Sequence, residues 1–291
     1  MRVLTFDVED WFHLLDHEST RDPRGWDRFD GRLHHNVARI LEALARHGQS
    51  ATFFCLGWVA EKYPDVIREI DRAGHEIGSH SHHHQLVYEQ GRDAFVRDLD
   101  ESLRLLGGVT GKPVRYYRAP GFSITRTSLW AFEALMERGI EIDCSLFAPK
   151  RAHGGISDIA LQEPFILEQG GRRIKEFPMT YFRVPGAKLV FSGGGYFRLF
   201  PYPMIKAMTR RSDYLMTYFH PRDFDPGQPV ISGLSRARRF KSYYGLEGAF
   251  AKLEALIRDF SFLSLSEADA MVDWERAPVV PVPRGAAEAE G

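Results

Sequence analysis

Short apolar runs alternate with stretches of helical periodicity along most of the chain. Alternation of this kind is typical of a parallel sheet or barrel in which helices connect successive strands. The runs predict strands over residues 3–8, 51–56, 76–79, 114–117, 141–144, 214–219 and 261–265, and the periodic stretches predict helices over residues 33–47, 59–73, 95–106, 128–138 and 246–259. The pattern therefore predicts an α/β fold.

The alternation changes between about residues 164 and 203, where glycine and β-branched residues predominate. We interpret this part as a small β-rich insert or lid. It lies within one predicted catalytic domain over residues 1–270, which also has a C-terminal extension over about 221–270. Residues 271–291 are rich in Pro, Ala, Gly and Glu toward their end, and we predict a disordered tail.

Two segments have both a functional and a structural interpretation. The loop Ser192–Tyr196 contains three glycines and is either a flexible turn or part of a substrate groove, in which Tyr196 would stack on a sugar ring. The basic run Arg236–Lys241 is either a solvated face or a site that attracts an anionic glycan or a lipid diphosphate. We predict the groove for the first segment and the solvated face for the second.

Length and charge limit the class of protein. A chain of 291 residues is normal for a single α/β barrel, and 38 Lys and Arg against 39 Asp and Glu give no basic surplus that would suit a nucleic-acid partner. Cys55 and Cys144 lie in apolar strand-like segments, which favours buried reduced thiols. The first predicted strand follows Met1 directly and no apolar run is long enough to span a membrane, so we expect a soluble cytoplasmic protein.

A histidine pair, His80 and His84, follows the predicted strand 76–79. If the chain turns into a helix there, the four-residue spacing places both imidazoles on one face, where they can bind one divalent metal. Such a pair taken alone is more often a set of surface or capping residues. The prediction of a metal site therefore depends on a third ligand.

The acidic segment Asp7-Val8-Glu9-Asp10 ends the first predicted strand and can supply that ligand. Two histidines and one carboxylate leave a metal with an open position, as in hydrolytic metal sites. Glu9 shares a strand face with Asp7, whereas Asp10 turns inward if the strand ends earlier, so both stay candidate ligands. The simpler alternative is that the acidic segment caps the following element.

Further polar residues, Arg118, Asp143 and His220, also stand at the ends of predicted strands. In strand-helix barrels the carboxyl ends of the strands share one rim, where reactive groups gather. For amide hydrolysis, Asp7 is the expected base and His220 the expected acid. Arg118 is expected to pair with Asp7, and Asp143 is expected to orient His220. The simpler alternatives are that Arg118 forms a structural ion pair and that His220 is a buried hydrogen-bonded histidine.

In their order along the chain, these residues resemble the motifs of the polysaccharide deacetylase family, which includes chitin, peptidoglycan and nodulation-factor deacetylases. The matching segments are Thr5-Phe6-Asp7 with Glu9 and Asp10, the His-Ser/Thr-x-x-His signature His80-Ser81-His82-His83-His84, the arginine-proline motif Arg118-Ala119-Pro120-Gly121, and the late histidine His220. Many members have two adjacent aspartates, whereas here Val8 separates Asp7 from Glu9. The carboxylate ligand is therefore either Glu9 or Asp10.

The resemblance implies a distorted (β/α) barrel and a metal-dependent hydrolase of N-acetylated sugars. It assigns Asp7 as the base, His80 and His84 as metal ligands, and His220 as the acid. We add Pro120, Gly121 and Tyr196 as substrate-binding residues. Zinc is the first candidate metal, although histidine and carboxylate ligands also suit cobalt, nickel and iron.

A narrower resemblance, extending to about residue 265, is to the deacetylases of bacterial exopolysaccharide loci that lie beside PEP-CTERM sorting systems. It is carried by residues 6–12, 84–88, 192–198 and 220–226. It implies an exopolysaccharide or its lipid-linked precursor as substrate, and an association with the synthesis machinery. The alternatives are a metal-independent cyclic-amide hydrolase similar to allantoinase and a glycan-binding subunit without activity.

Overall fold

The computed structural model describes residues 1–15, 17–148, 153–156, 159, 161–184 and 187–282. The strands in this part are β1 (Arg2–Val3), β2 (Thr5–Val8), β3 (Thr52–Cys55), β4 (Glu76–Ser79), β5 (Tyr116–Tyr117), β6 (Ile142–Asp143), β7 (Phe165–Gln169), β8 (Arg172–Glu176), β9 (Phe182–Val184), β10 (Ala187–Leu189), β11 (Leu215–Met216) and β12 (Val279–Pro281). The helices are α1 (Glu18–Arg21), α2 (Leu33–Arg46), α3 (Gly57–Lys62), α4 (Pro64–Arg72), α5 (Arg92–Thr110), α6 (Trp130–Glu137), α7 (Gly194–Leu199), α8 (Tyr202–Arg211), α9 (Arg236–Tyr243), α10 (Leu246–Asp259) and α11 (Leu265–Met271).

The main sheet has eight strands in the order β12-β7-β8-β6-β5-β4-β3-β2. Within this sheet the neighbours β4, β5, β6 and β8 pair in parallel, as do β12 and β7, whereas the hairpin β7–β8 is antiparallel. Helices connect several of these strands, which is the arrangement that parallel pairing requires. The α/β pattern predicted from the sequence is present.

Most predicted elements exist, with local differences. Helix α10 and strand β4 have the predicted ends, whereas the helix predicted over 59–73 is divided into α3 and α4. Pro64 causes the division, because proline has no N–H to continue a helix but suits the first position of a new one. The strand predicted over 261–265 is reduced to a single bridge between Leu263 and Val3, and α11 begins at Leu265.

The chain forms two compact units. The first comprises Met1–Phe53, Arg68–Glu76 and Tyr181–Ala268. Its core contains a row of aromatic rings: Phe6 stacks on Phe53 at a centroid distance of 4.9 Å and lies 5.9 Å from Phe219. These side chains are fully buried. The alternation of apolar residues in the first predicted strand thus leads directly to the packing of this unit.

The second unit comprises Phe54–Ile67, Ile77–Thr180 and Asp269–Gly291. Its core lies between β5, β7, β8 and the helices α5 and α6. Phe95 from α5 packs edge-to-face against Tyr117 of β5, with ring centroids 6.0 Å apart. The apolar face of α6, including Phe132, belongs to the same buried cluster.

The predicted insert is not a separate β subdomain. Its first two strands, β7 and β8, belong to the main sheet, where β8 pairs with β6. Only the hairpin of β9 and β10 stands as a sheet of its own, and the remainder folds into α7 and α8. The antiparallel β7–β8 hairpin differs in pattern from the strand-helix units around it, which is why its sequence resembles an insertion.

The prediction of a disordered tail over residues 271–291 is wrong for the residues up to 282 that the structure describes. Residues 279–281 form β12, which pairs in parallel with β7. Backbone pairing of this kind needs no side-chain periodicity, so the composition of the tail gave no signal for it. Residues 283–291 lie outside the described residues. Across the described part of the chain, none of the helices combines the length and the hydropathy needed to cross a membrane.

Candidate active site

Strand β2 positions the first two carboxylates. All four of its residues are buried, and the N–H of Asp7 donates to the carbonyl of Phe219 at 2.7 Å. The strand ends at Val8, and the N–H of Glu9 turns back to the carbonyl of Asp7 at 3.0 Å. Asp7 and Glu9 are both buried, although carboxylates are rarely found inside proteins without a partner. Their burial therefore marks this strand end as a site of charge chemistry.

His220 begins a short 3-10 turn, Pro221–Phe224, beside β2. Proline suits the first position of the turn because its φ is preset and it needs no N–H there. The turn returns Asp223 to His220: Oδ2 of Asp223 accepts from the backbone N–H at 3.0 Å and lies 2.9 Å from Nδ1. Asp223 thereby holds the imidazole by Nδ1 and leaves Nε2 directed away from the turn.

That other nitrogen faces the carboxylates of β2. Nε2 of His220 lies 3.9 Å from Oδ2 of Asp7 and 3.8 Å from Oε1 of Glu9. Burial by itself would lower the pKa of His220, but Glu9, Asp223 and Asp7 raise the pKa to about 9. These carboxylates favour the ring that is protonated on both nitrogens, which is the form that can donate a proton.

Asp223 is in turn held by an arginine of α7. Nε of Arg198 lies 3.2 Å from Oδ1 of Asp223, and both side chains are almost fully buried. Burial would raise the pKa of Asp223, but the neighbouring His220 and Arg198 lower it, so the carboxylate stays charged. We had predicted that Asp143 orients His220, and this is corrected: the carboxylate at Nδ1 belongs to Asp223.

Asp10 has a different surrounding from Glu9. Its Oδ1 accepts from the N–H of Trp11 at 2.7 Å, and its Oδ2 accepts from the N–H of Arg32 at 2.7 Å, directly before α2. Burial raises the pKa of Asp10 to about 6 despite these bonds. One carboxylate oxygen of Asp10 thus fixes the backbone directly after it, and the other fixes the residue directly before α2.

The segment that contains the two histidines is a loop after β4, and the predicted helix is absent. Ser81 and His84 have positive φ angles of 70° and 52°, which few residues other than glycine adopt. The N–H of His84 donates to Oγ of Ser81 at 3.0 Å and stabilises this path. The four-residue spacing brings the histidine rings together, with centroids 5.2 Å apart, through a tight turn.

Neighbouring helices fix the loop. Oδ2 and Oδ1 of Asp98, in α5, accept from the N–H groups of His82 at 2.7 Å and His83 at 3.0 Å. Gly57, at the start of α3, packs so closely that a Cβ there would lie 2.7 Å from Nδ1 of His82 and 2.8 Å from Cα of Ser102. A residue larger than glycine at position 57 would therefore displace the loop.

One backbone hydrogen bond determines the tautomer of His80. Nδ1 of His80 lies 2.8 Å from the carbonyl oxygen of Arg118. Because a carbonyl only accepts, Nδ1 must carry the hydrogen, and Nε2 keeps its lone pair. This is the state in which imidazole binds a metal, and a carbonyl partner of this kind is the usual support of a metal-binding histidine.

Within the described part of the chain, Glu9, His80 and His84 form a group that can hold a metal ion. One ligand atom from each residue lies within 4.8 Å of those from the other two, and all three residues are buried. The donors are two imidazoles and one carboxylate, a set that fits zinc and related divalent metals and leaves a position open. The group contains Glu9 and not Asp10.

Arg118 lies in a second buried network of titratable groups. Its guanidinium stands 4.2 Å from the ring centroid of Phe54, and its backbone N–H donates to the carbonyl of Ser79. Asp143 accepts from Oγ of Ser145 at 2.6 Å, and Glu176 accepts from the N–H of Leu146 at 3.0 Å. This network fixes the backbone that follows β5 and β6.

Burial and mutual repulsion determine the charge of the two carboxyl groups. Burial raises the pKa of Asp143, and burial together with the charge of Asp143 raises the pKa of Glu176 well above its usual value. The two side chains hydrogen bond to each other, so one of them holds a proton at neutral pH. The role expected for Arg118 toward Asp7 stays a prediction.

The predicted substrate-binding residues have different degrees of exposure. Pro120 is buried and Gly121 is half-buried in the 3-10 turn Pro120–Phe122, where Gly121 has a φ of 60°. Tyr196 is exposed on α7 and stacks on Phe200 with ring centroids 6.1 Å apart. Their contact with a substrate stays a prediction.

Sequence analysis missed three residues of these networks: Asp223, Arg198 and Glu176. A signal existed for Asp223, because a carboxylate three residues after His220-Pro221 is the spacing of a capping turn. No local signal existed for Arg198, which reaches Asp223 from another part of the chain. Glu176 is the last residue of β8, in the hairpin whose sequence resembles an insert.

Two family models match different parts of the chain. Residues 18–138 match a model described as polysaccharide deacetylase, and residues 144–270 match one described as a domain of unknown function (DUF3473). The first match includes His80, His84 and Arg118. Asp7 and His220 lie outside it.

Curated relatives match shorter stretches. The peptidoglycan-N-acetylglucosamine deacetylase of Bacillus cereus is 32% identical over 96 residues, which are 33% of this chain and 35% of that protein. The chitooligosaccharide deacetylase of Azorhizobium caulinodans is 31% identical over 94 residues, which are 32% of this chain and 45% of that protein. The chain thus spans less than half the length of these relatives.

Solved structures show the fold. A candidate polysaccharide deacetylase from Mycobacterium smegmatis has a TM-score of 0.65 at 24% identity, over 97% of this chain and 93% of that one. A peptidoglycan N-acetylglucosamine deacetylase has a TM-score of 0.50 at 15% identity, over 95% of this chain and 89% of that one. The predicted distorted (β/α) barrel fold is confirmed. Residues 18–138 are therefore similar in sequence to polysaccharide deacetylases, and the chain has the fold of the solved structure from Mycobacterium smegmatis.

Proposed function

We propose that this chain is a metal-dependent hydrolase that removes N-acetyl groups from sugars of a bacterial exopolysaccharide or its lipid-linked precursor. The observation that carries the proposal is the grouping of Glu9, His80 and His84, with Nε2 of His220 3.8 Å from the same Glu9. It joins a set of metal ligands to an imidazole that is placed to act as an acid. A glycan-binding protein without activity has no need of such an acid.

Each residue has a role in the hydrolysis of the amide. Asp7 takes a proton from the attacking water, whose oxygen forms a bond to the acetyl carbonyl carbon. His220 then donates its Nε2 proton to the nitrogen as the carbon–nitrogen bond breaks, which yields acetate and a free amine. Asp223 keeps the ring oriented through both steps, and a bound divalent metal supplies Lewis acidity to the carbonyl and the water.

The substrate class is supported by the names of the relatives. The Bacillus cereus and Azorhizobium caulinodans proteins are named as deacetylases of peptidoglycan N-acetylglucosamine and of chitooligosaccharides. We transfer the N-acetylated sugar to this chain, and we add the exopolysaccharide from the resemblance of residues 192–198 and 220–226. We also propose zinc as the metal and an association with the cytoplasmic side of a polysaccharide synthesis complex, which fractionation of native cells tests.

The test measures metal content and acetate release from N-acetylglucosamine oligomers on the same protein samples. Wild type is compared with His80→Ala and with His83→Ala, a matched control because His83 lies in the same loop but outside the ligand group. We expect about one metal per chain and acetate release in wild type and His83→Ala, and neither in His80→Ala. Acetate release without metal would contradict the metal dependence, and the absence of both metal and acetate release would favour the cyclic-amide alternative. Metal without any turnover on N-acetylated sugars would contradict the proposal.

A further inference from the structure

Exposed apolar side chains are concentrated in one part of the first unit. Among the described residues, eight large hydrophobic side chains are exposed, and six of them fall between residues 196 and 244. These six are 38–52% exposed: Tyr196, Leu199, Met204, Val230, Phe240 and Tyr244. We call the five of them that lie outside α8 the apolar patch. Single exposed apolar residues are normal on protein surfaces, but a cluster marks an interaction site.

Hydrogen bonds join the segments that carry the patch. The guanidinium of Arg198 in α7 donates to the carbonyls of Lys241, Ser242 and Tyr244 at the end of α9. This places Leu199, the next residue in α7, beside the chain around Tyr244. Helix α7 and the end of α9, which both carry exposed apolar side chains, are therefore neighbours in the fold.

The same surface extends to the loop before α9. The hydroxyl of Tyr243 donates to the carbonyl of Pro229 at 3.4 Å and accepts from the N–H of Ile231 at 3.0 Å. Val230 lies between these two residues. Within α9 the rings of Phe240 and Tyr244 have centroids 4.6 Å apart.

Helix α9 differs from the usual helix of a globular protein. A surface helix buries one apolar face, whereas α9 has no buried residue. Its sequence contains four basic residues and no acidic one, and Arg236, Arg239 and Lys241 are exposed. Basic side chains thus stand directly beside the exposed ring of Phe240.

We propose that the apolar patch and the basic residues of α9 dock the protein on an anionic phospholipid surface. Side chains such as Phe240 and Leu199 would enter the boundary between headgroups and acyl chains, while Arg236, Arg239 and Lys241 contact phosphate. An acidic polysaccharide would match the charge, but it offers no apolar phase to the aliphatic side chains. The lipid surface therefore explains both halves of the patch.

Docking of this kind is independent of the deacetylase reaction. The patch contains no metal ligand and neither the acid nor the base. It shares Tyr196 with the predicted substrate groove, and none of the test variants changes that residue. The docking proposal is tested by vesicle binding in the absence of substrate, so failure of either proposal leaves the other intact. If both hold, the protein works where a lipid-linked sugar is presented.

The experiment measures flotation of the full chain with vesicles of phosphatidylcholine alone and of phosphatidylcholine mixed with phosphatidylglycerol. The test variants are Arg236→Glu/Arg239→Glu and Phe240→Ser. The matched controls reverse two exposed arginines of α4, Arg68→Glu/Arg72→Glu, and remove the exposed Met271 through Met271→Ser. Circular dichroism and acetate release from soluble oligomers show that each variant is folded.

We expect binding to the anionic vesicles only, weakened by salt. The Arg236→Glu/Arg239→Glu variant should lose affinity by about thirtyfold or more, since each basic residue near an anionic surface contributes about 1 kcal/mol. Phe240→Ser should lose about tenfold through its buried apolar area. The controls should bind as wild type does.

Three results would overturn the proposal. The first is the absence of binding to anionic vesicles at low salt. The second is an equal loss in the α4 control, which would show a response to net charge alone. The third is binding to a soluble acidic polysaccharide such as polygalacturonate without binding to vesicles, which would make the surface a glycan site.

Discussion

The carboxylate of Asp223 holds His220 at two points: Oδ2 lies 2.9 Å from Nδ1 and 3.0 Å from the backbone nitrogen of the same residue. Nε2 is thereby directed toward Asp7 and Glu9. The acid of the proposed reaction thus owes its orientation to a residue three positions away. His220 and then Arg198 of α7, whose Nε lies 3.2 Å from Oδ1, lower the pKa of Asp223 against the effect of burial.

Asp223→Asn is expected to lower kcat on the order of 10²-fold, within the range of roughly 10²–10⁴-fold that a positioned acid or base contributes. The amide keeps the shape of the side chain but no longer holds the imidazolium, while KM should change little. The measurement is steady-state acetate release. Asp225→Asn is the matched control, because this carboxylate lies on the same turn but binds Arg32 and Asn36, and unchanged kcat in Asp223→Asn would refute the role.

Glu9→Gln and Asp10→Asn should separate the two neighbouring carboxylates. Glu9→Gln is expected to weaken metal binding by more than about a hundredfold, since loss of even a supporting residue costs 10- to 100-fold. Asp10→Asn should keep the metal and lower the free energy of unfolding by about 1 kcal/mol, because one amide atom cannot accept from a backbone N–H before α2. Metal titration and urea unfolding check both outcomes, and the reverse pattern would make Asp10 the ligand.

Gly193→Ala should disrupt the junction between the glycine-rich loop and α7. An added Cβ would lie 2.1 Å from the carbonyl oxygen of Tyr218, closer than any packing allows. We expect a loss of more than about 2 kcal/mol in the free energy of unfolding, as for severe overpacking. Gly195→Ala is the control, because its Cβ would meet the nearest atom at 3.2 Å. Equal stability of the two variants would show that the close approach is not required.

Glu176→Gln should change how stability depends on pH. The unfolded glutamate loses its proton near pH 4.5 and the native one only at higher pH, so the native state binds more protons and wild type loses stability as pH rises above 4.5. The loss should be about 1.4 kcal/mol for every pH unit until the native group ionises. Glutamine resembles the protonated acid and removes this loss.

Urea unfolding of wild type and Glu176→Gln at several pH values between about 5 and 8 provides the comparison. Glu168→Gln, on the neighbouring strand β7, is the control, because Glu168 is half-exposed and paired with Arg173. Its curve should run parallel to that of wild type. A parallel curve for Glu176→Gln as well would show that the buried pair does not retain its proton.

The local pattern of the chain determined the elements and several members of the candidate site. Periodicity alone predicted α10 and β4 with their ends, because both depend on neighbouring residues only. The spacing of His80 and His84 predicted that the two rings would meet, although a loop and not a helix brings them together. Asp7, Glu9 and His220 were identifiable because each stands at or directly after the end of a predicted strand.

The tertiary structure decided which partner each of these residues has. Arg198 contacts Asp223 across 25 positions of sequence, and Asp10 accepts a hydrogen bond from the N–H of Arg32 directly before α2. Neither contact has a local signal in the sequence. The apolar patch likewise became visible only once the fold had left α9 without a buried face. Local sequence specifies backbone conformation through propensity and periodicity, whereas burial, charge pairing and exposure depend on segments that only the fold brings together.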